Sequence, residues 1–160
     1  MIAAQSDARS GAQGDAVLDA VFLLVRARAV ADERIGGMLS RVGLSLDDLG
    51  MLRAVAAVAA DGETGIAAPA LAAALRLAPS QAVRGLRPLE KLGWVERTAD
   101  RRYRLTASGA AILAEGESIA TEGGRRWLAE SGVDVGALRG ALCGLVTGGG
   151  AGGAAPAPHR

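Results

Sequence analysis

The feature that most constrains the fold is residues 79–105, where helical periodicity changes abruptly to strand alternation. The first part has apolar residues at helical spacing on one side, at Ala82, Leu86 and Leu89. Gly93 ends this helix, and two short alternating segments follow at residues 94–98 and 102–105. The sequence therefore predicts a helix that buries one side and leads directly into a β-hairpin.

Pro88 lies inside this predicted helix. A proline there removes the hydrogen bond to the Arg84 carbonyl and costs about 3 kcal/mol unless the helix bends. Gly85 is close enough in sequence to absorb a bend. We therefore expect a kink between Arg84 and Pro88.

The segments before this module predict three further helices. The first opens at Asp15, after a flexible arm over residues 1–14, and is loosened by the two glycines at residues 36–37. The second begins with a capping-box pattern at Ser45, and the third has Pro69 in its first turn. The apolar stripe of the second helix is formed by Leu49, Leu52, Val55 and Ala59. A very short strand is expected between the second and third helices, ending at Ile66.

The segments after the hairpin predict two more helices. Thr106 caps the first of them, and glycines interrupt its apolar seam, which favours close approach of another element. The seam is formed by Ile112, Leu113, Ile119, Ala120 and Trp127. The last helix lies near residues 134–146, and the glycine-rich stretch at 148–160 predicts a disordered tail.

Net positive charge is confined to one block of the chain, although the formal net charge of the whole chain is only +1. Residues 65–105 contain eight basic and three acidic side chains, whereas the flanking segments are both net acidic. A localised basic patch is typical of phosphate binding. A merely solvated surface is the alternative that charge alone leaves open.

Several function classes are excluded by what the sequence lacks. The apolar run AVFLLV at residues 20–25 is far shorter than a membrane span, which favours a cytoplasmic protein without a membrane partner. The single histidine, His159, and the single cysteine, Cys143, are too few for a metal site, and we expect Cys143 to be buried and inert. No glycine-rich phosphate loop or cysteine–histidine pair is present, so neither a cofactor nor an enzyme is predicted.

The order of these elements resembles the MarR family of bacterial transcriptional regulators. The resemblance rests on LAAALRLAPSQAVRGLRPLEKLGWVER at residues 71–97, DRR at 100–102 and LTASG at 105–109. It implies a mainly α fold, a winged helix-turn-helix with a short β-hairpin wing and flanking N- and C-terminal dimerisation helices. On that basis residues 15–44 and 107–147 are the dimerisation regions, and residues 45–106 form the DNA-binding domain.

The resemblance also implies which residues bind double-stranded DNA. The family's reading helix falls on residues 79–92, and its wing falls on residues 94–105. Arginine and glutamine are suited to guanine and adenine edges, respectively, and wing arginines to the minor groove or phosphates. The implied DNA-binding residues are Ser80, Gln81, Arg84, Arg87, Arg101, Arg102 and Arg104.

A homodimer is the second implication, because the family binds pseudo-palindromic operators as a two-fold dimer. The implied interface consists of Leu18, Val21, Ile112, Ile119, Trp127, Leu138 and Leu142, for which ordinary intrachain core is the alternative. Many relatives release DNA when a small-molecule effector binds. Such a pocket would be lined by Phe22, Met38, Met51 and Trp127, although the residues themselves favour ordinary core packing.

A DNA-binding regulator, in the family's repressor role, is therefore the leading hypothesis, although the residues themselves leave repression and activation open. The competing hypothesis is a winged-helix protein–protein interaction module that does not bind DNA. Two features favour this alternative: the expected kink at Pro88 and a wing shorter than the family's usual one.

Overall fold

A computed structural model describes the backbone of residues 3–60 and 65–148 and the side chains of residues 14–58 and 65–148. The chain forms two compact units, Met1–Gly124 and Arg125–Arg160. Within the described residues the secondary structure is mainly helical, with one two-stranded antiparallel sheet.

The first helix, α1, spans Ala3–Ala31 and so begins inside the segment for which the sequence predicted a flexible arm. An alanine-rich segment has high helix propensity even without an apolar period, which explains a helix that begins this early. The expected loosening is confirmed: a π-helical turn at Asp32–Gly36 follows, then α2 at Gly37–Leu39 and a 3₁₀ turn at Ser40–Val42.

Three helices form the core of the first unit: α3 at Leu46–Ala60, α4 at Ala68–Ala74 and α5 at Pro79–Lys91. The predicted cap of α3 is confirmed, since the Asp48 N–H donates to Ser45 Oγ and the Ser45 N–H donates to Asp48 Oδ2, both at 3.0 Å. The largest fully buried side chains come from these helices and their neighbours: Leu39, Leu52, Val55, Leu71, Leu86, Leu89 and Val95.

One polar contact joins α1 to α3. The Arg28 guanidinium lies 2.8 Å from Asp32, four residues later in the chain, and 2.7 Å from Asp47 in the first turn of α3. Hydrogen bonds to Asp32 and then to Asp47 raise the pKa of Arg28 above its ordinary value. All three groups are substantially exposed, so the contact sets geometry more than it adds stability.

Gly85 brings α5 close to α3. A Cβ at this position would lie 2.6 Å from the Met51 sulfur, so a side chain there would require the end of the Met51 side chain to move. The helix continues through Pro88, whose carbonyl accepts the Leu92 N–H at 3.0 Å. Gly85 is thus explained by close packing, and the kink near Pro88 stays a prediction.

The end of α5 is a Schellman motif. Gly93 has a φ of +72°, and the Trp94 N–H donates to the Leu89 carbonyl at 3.0 Å while the Gly93 N–H donates to the Glu90 carbonyl at 3.0 Å. This ending reverses the chain into the hairpin, as the sequence predicted.

The hairpin consists of β1 at Val95–Arg97 and β2 at Tyr103–Leu105. The outer edge of β2 pairs with Ile66, since N–H and carbonyl groups of Ile66 and Tyr103 exchange two hydrogen bonds of 2.8 Å. The short strand expected there is confirmed as a single bridge. This pairing fixes the wing to the segment that precedes α4.

The wing is also tied to α6, which spans Ala107–Glu130. The predicted cap is confirmed, since Thr106 Oγ1 accepts the Gly109 N–H at 3.0 Å and donates to the Gly93 carbonyl at 2.6 Å. Gly116, one of the glycines in the apolar seam, packs against Leu44, whose Cδ1 would lie 2.7 Å from an added Cβ.

The last helix, α7, spans Val135–Gly148 and is capped by Asp134, which accepts the Ala137 N–H at 2.6 Å. Cys143 is exposed on α7, so the expectation of a buried thiol was wrong, because α7 has no buried residue in the single chain. The tail predicted at 148–160 lies outside the described residues after Gly148. No helix in the described part of the chain is both long and apolar enough to cross a membrane.

We predict that Gly109→Ala lowers the free energy of unfolding by about 1–3 kcal/mol, the usual effect of overpacking. An added Cβ would overlap the backbone carbonyl of Trp94, which cannot move without displacing the wing from α6. Gly50→Ala is the matched control: nothing lies within 4 Å of its added methyl, so it should stabilise α3 by up to about 1 kcal/mol. Urea unfolding of both variants measures this, and equal effects would show that the close approach is not rigid.

Candidate nucleic-acid interface

The rotation of α5 about its axis is fixed by its buried side. Ala82, Leu86 and Leu89 are each at most 1% exposed, as the sequence predicted. The opposite side therefore faces outward, and it carries the arginines at positions 84 and 87. An α-helix with one side anchored and the other presented to solvent is the arrangement that enters a DNA major groove.

The outward side of α5 forms one continuous surface. An open depression of about 500 Å³ is lined by Pro79, Ser80, Val83, Arg84 and Arg87, which recur at helical spacing. Three of the seven residues implied to bind DNA thus lie together. We call these five residues the α5 outer face.

The two arginines of the α5 outer face form no ion pair within the part of the chain that the structure describes. Within residues 14–58 and 65–148, no carboxylate lies within ion-pair distance of Arg84 or Arg87. Both side chains are exposed. Two uncompensated guanidinium groups one helical turn apart make a locally positive surface suited to phosphate oxygens and guanine edges.

Gln81 has a different role from the one implied by the family. Its side-chain Oε1 accepts the Ala78 N–H at 2.9 Å, which satisfies an otherwise unpaired donor at the start of α5. The amide NH₂ remains a donor group, whereas base reading of adenine requires the oxygen as well. In this conformation Gln81 stabilises the helix start.

At the tip of the wing, Arg101 adopts a left-handed backbone conformation, with a φ of +64°. Its N–H donates to the Thr98 carbonyl at 3.0 Å, and Thr98 and Arg102 pair beyond it, so residues 99–101 form a three-residue hairpin loop. Glycine is the usual residue at this left-handed position, yet an exposed arginine occupies it.

Asp100 supports the wing turn from within. A hydrogen bond from Thr98 Oγ1, together with a backbone hydrogen bond, holds the pKa of Asp100 below its ordinary value. The carboxylate is therefore charged at neutral pH and lies 3.7 Å from the Arg102 guanidinium.

Arg102 and Arg104, the other two wing arginines that were implied to bind DNA, make contacts within the fold. The sequence had predicted that both would face DNA. Arg102 Nη1 donates to the Gly65 carbonyl at 2.8 Å, which joins the wing to the segment before α4. Arg104 Nε lies 2.7 Å from Glu96 Oε1, its direct cross-strand partner. These contacts position the wing, and they occupy guanidinium groups that were expected to face DNA.

Sequence reasoning missed two residues near this surface. Arg76, in the turn between α4 and α5, is the other non-glycine residue with positive φ in the described chain, at +54°. Val83 lies half-buried on the α5 outer face. Helical spacing places Val83 between Ser80 and Arg87, and that signal was available from the sequence.

The residues implied to form a dimer interface are incompletely covered in the single chain. Leu18, Val21 and Leu142 are exposed, and Ile112, Ile119, Trp127 and Leu138 are partly exposed. On α1 the exposure is extensive, because Val17, Leu18 and every residue from Val21 to Val25 are at least 45% exposed. On α7, Val135, Leu145 and Val146 are exposed as well.

The residues implied to line an effector pocket do not share a described cavity. Met51 is buried against Gly85, and Met38 packs against Gly123, so both have packing roles. Phe22 is 58% exposed, and Trp127 belongs to the second unit. A different cavity, of about 400 Å³, lies between α3 and α6. Its lining is Leu49, Arg53, Glu117, Ala120 and Thr121, and the Arg53 Nε lies 3.0 Å from Glu117.

Comparison with solved structures finds the same fold in known regulators. A MarR family transcriptional regulator from Rhodococcus sp. RHA1 is 24% identical, with a TM-score of 0.69, over 81% of this chain and 94% of that one. The Mycobacterium tuberculosis MarR family protein Rv2887 in complex with DNA is 26% identical, with a TM-score of 0.59, over 80% and 95%. Rv2887 with salicylic acid is 27% identical, with a TM-score of 0.55, over 78% and 93%. No protein-family model and no curated protein matches the chain.

The left-handed conformation of Arg101 predicts different stabilities for two variants that both lack its guanidinium. Arg101→Gly should be more stable than Arg101→Ala by about 0.5–1 kcal/mol, because this conformation costs a non-glycine residue roughly 1–2 kcal/mol and glycine loses more entropy on folding. The free energy of unfolding in urea measures the difference. Equal stability of the two variants would show that the loop adopts another conformation.

Proposed function

Because this chain has the winged helix-turn-helix fold of MarR-family transcriptional regulators, we propose that it regulates transcription as a homodimer that reads a pseudo-palindromic operator with α5 and the wing. The observation that carries the proposal is the α5 outer face, where Ser80, Arg84 and Arg87 lie together opposite the buried side of the helix. The structure of Rv2887 with DNA supports it, since that protein shares the fold.

In the proposed complex, Arg84 and Arg87 supply base and phosphate contacts in the major groove. Neither has an ion-pair partner among the described residues, so binding DNA breaks no described ion pair of these side chains. Arg101 at the wing tip supplies a contact to the adjacent minor groove or to a phosphate. An arginine in a left-handed conformation that favours glycine supports a functional rather than a structural reason for this residue.

The homodimer is proposed from the exposed apolar surfaces of α1 and α7. A run of apolar side chains that are about half exposed, as on α1, exceeds what single surface residues explain, and such patches mark interaction sites. A second copy of the chain is the partner that the two-fold symmetry of operator recognition requires.

Regulation by a small molecule is part of the proposal. The structure of Rv2887 with salicylic acid supports this for a protein of the same fold. In this chain, the cavity between α3 and α6 is lined by Leu49 and by the Arg53–Glu117 ion pair, so a small aromatic acid that binds there replaces Glu117 as the partner of Arg53. This cavity replaces the pocket implied at Phe22, Met38, Met51 and Trp127 as the proposed effector site.

A protein–protein interaction module remains the second candidate. The specific observation in its favour is that Arg102, Arg104 and Gln81 are engaged within the fold, which reduces the surface left for DNA. If the purified protein shifts no duplex from a randomised library at low ionic strength, this candidate replaces the first.

We predict that Arg84→Ala and Arg87→Ala each weaken binding to a duplex selected from a randomised library by about 5- to 150-fold, because a bidentate arginine–guanine contact contributes about 1–3 kcal/mol. Anisotropy titrations with labelled duplex measure the affinities. Arg53→Ala, which removes an arginine of α3 that is already paired with Glu117, is the matched control and should bind like the wild type. Equal losses for all three variants would point to net charge rather than to the α5 outer face.

We predict that Leu18→Glu in α1 and Leu142→Glu in α7 convert the homodimer into monomer. A charge placed in an apolar interface loses hydration without gaining a partner. Sedimentation velocity at several protein concentrations measures the change. Leu92→Glu is the matched control, since Leu92 is 56% exposed but lies outside both helices. A wild-type protein that sediments as a monomer at every concentration would contradict the proposed dimer.

A further inference from the structure

Val83 is a branched aliphatic residue on the α5 outer face, and the fold covers only part of its side chain. It is the apolar side chain between Ser80 and Arg87, three residues after the first and four before the second, whereas Ala82, Leu86 and Leu89 are buried on the opposite side. Valine is also a weaker helix former than alanine or the long polar residues. Val83 is half-buried, so burial accounts for part of its side chain; the part that remains accessible lies on the α5 outer face and is not explained by helix propensity.

The chemistry of the major groove supplies an account. Valine has no hydrogen-bond donor or acceptor, and the apolar group that base pairs present in the major groove is the 5-methyl group of thymine. A branched aliphatic side chain next to Arg84 and one helical turn before Arg87 matches a thymine methyl that lies beside guanine edges or phosphates. On this basis, and resting on the function proposed above, we infer that Val83 is a specificity-determining residue that contacts the 5-methyl group of one thymine in each operator half-site.

The helix geometry limits where that thymine lies. Side chains four residues apart on one helix have Cβ atoms about 5–6 Å apart, and successive base pairs are separated by about 3.4 Å. The thymine that Val83 contacts is therefore one or two base pairs from the base that Arg87 contacts. A direct contact therefore requires a thymine at that fixed separation, whereas a general preference for A·T-rich DNA would not.

The experiment uses the full-length protein and the duplex that it selects from a randomised library. That duplex is synthesised with deoxyuridine in place of each thymine in turn, which removes one methyl group and keeps the hydrogen-bonding edges. Loss of one buried methyl should weaken binding about four-fold. The expected result for the wild type is a four-fold loss at one thymine in each half-site and no loss at the others.

Two variants show whether Val83 is the reader. Val83→Ala shortens the side chain and favours the helix, so it should fold and should bind the thymine and deoxyuridine duplexes equally. Ser80→Ala alters the same face without removing the valine and should keep the four-fold discrimination. Discrimination that persists in Val83→Ala, or equal wild-type affinity at every position, would overturn the inference while leaving the proposed function intact. Failure to bind any duplex at low ionic strength would instead overturn the proposed function, and this inference with it.

Discussion

The burial of one side of α5 is the constraint on which the rest of the structure depends. Leu86 and Leu89 are buried in the core of the first unit, and Gly85 lets the helix approach Met51 without a gap. Because those contacts fix both the position and the rotation of α5, they also determine which residues face outward. The Schellman turn at Gly93 and the cap at Thr106 then place the wing relative to the same helix.

Local signals explain why much of this was predictable from the sequence. The bounds of α5, the caps at Ser45 and Thr106 and the hairpin all depend on residues within a few positions of one another, so helical spacing, capping patterns and glycine positions sufficed. The buried side of α5 followed from spacing alone. The outward positions of Arg84 and Arg87 followed from the same spacing, whereas Val83 was missed although the same spacing indicates its position.

The contacts that were not predictable involve distant residues or a particular backbone conformation. Arg102 binds the carbonyl of Gly65, which is far from it in sequence, and no local pattern announces such a pairing. The left-handed conformation of Arg101 depends on the type of turn, and the sequence lacks the glycine that would have indicated it. Charge alone could not separate the arginines that stabilise the wing from those that face outward. The sequence therefore overestimated the number of outward-facing arginines in the wing, whereas it predicted the bounds and the buried side of α5 well.

The apolar surface of α1 has a consequence for how such a protein responds to its own abundance. If the dimer is the form that occupies the operator, then monomer and dimer are related by mass action, and the stability of the folded chain depends on its concentration. At cellular levels below the dissociation constant of the dimer, the amount of operator-binding species rises with the square of the amount of chain. A gradual change in expression would then produce a steeper change in promoter occupancy, without any effector and without cooperation between neighbouring operators.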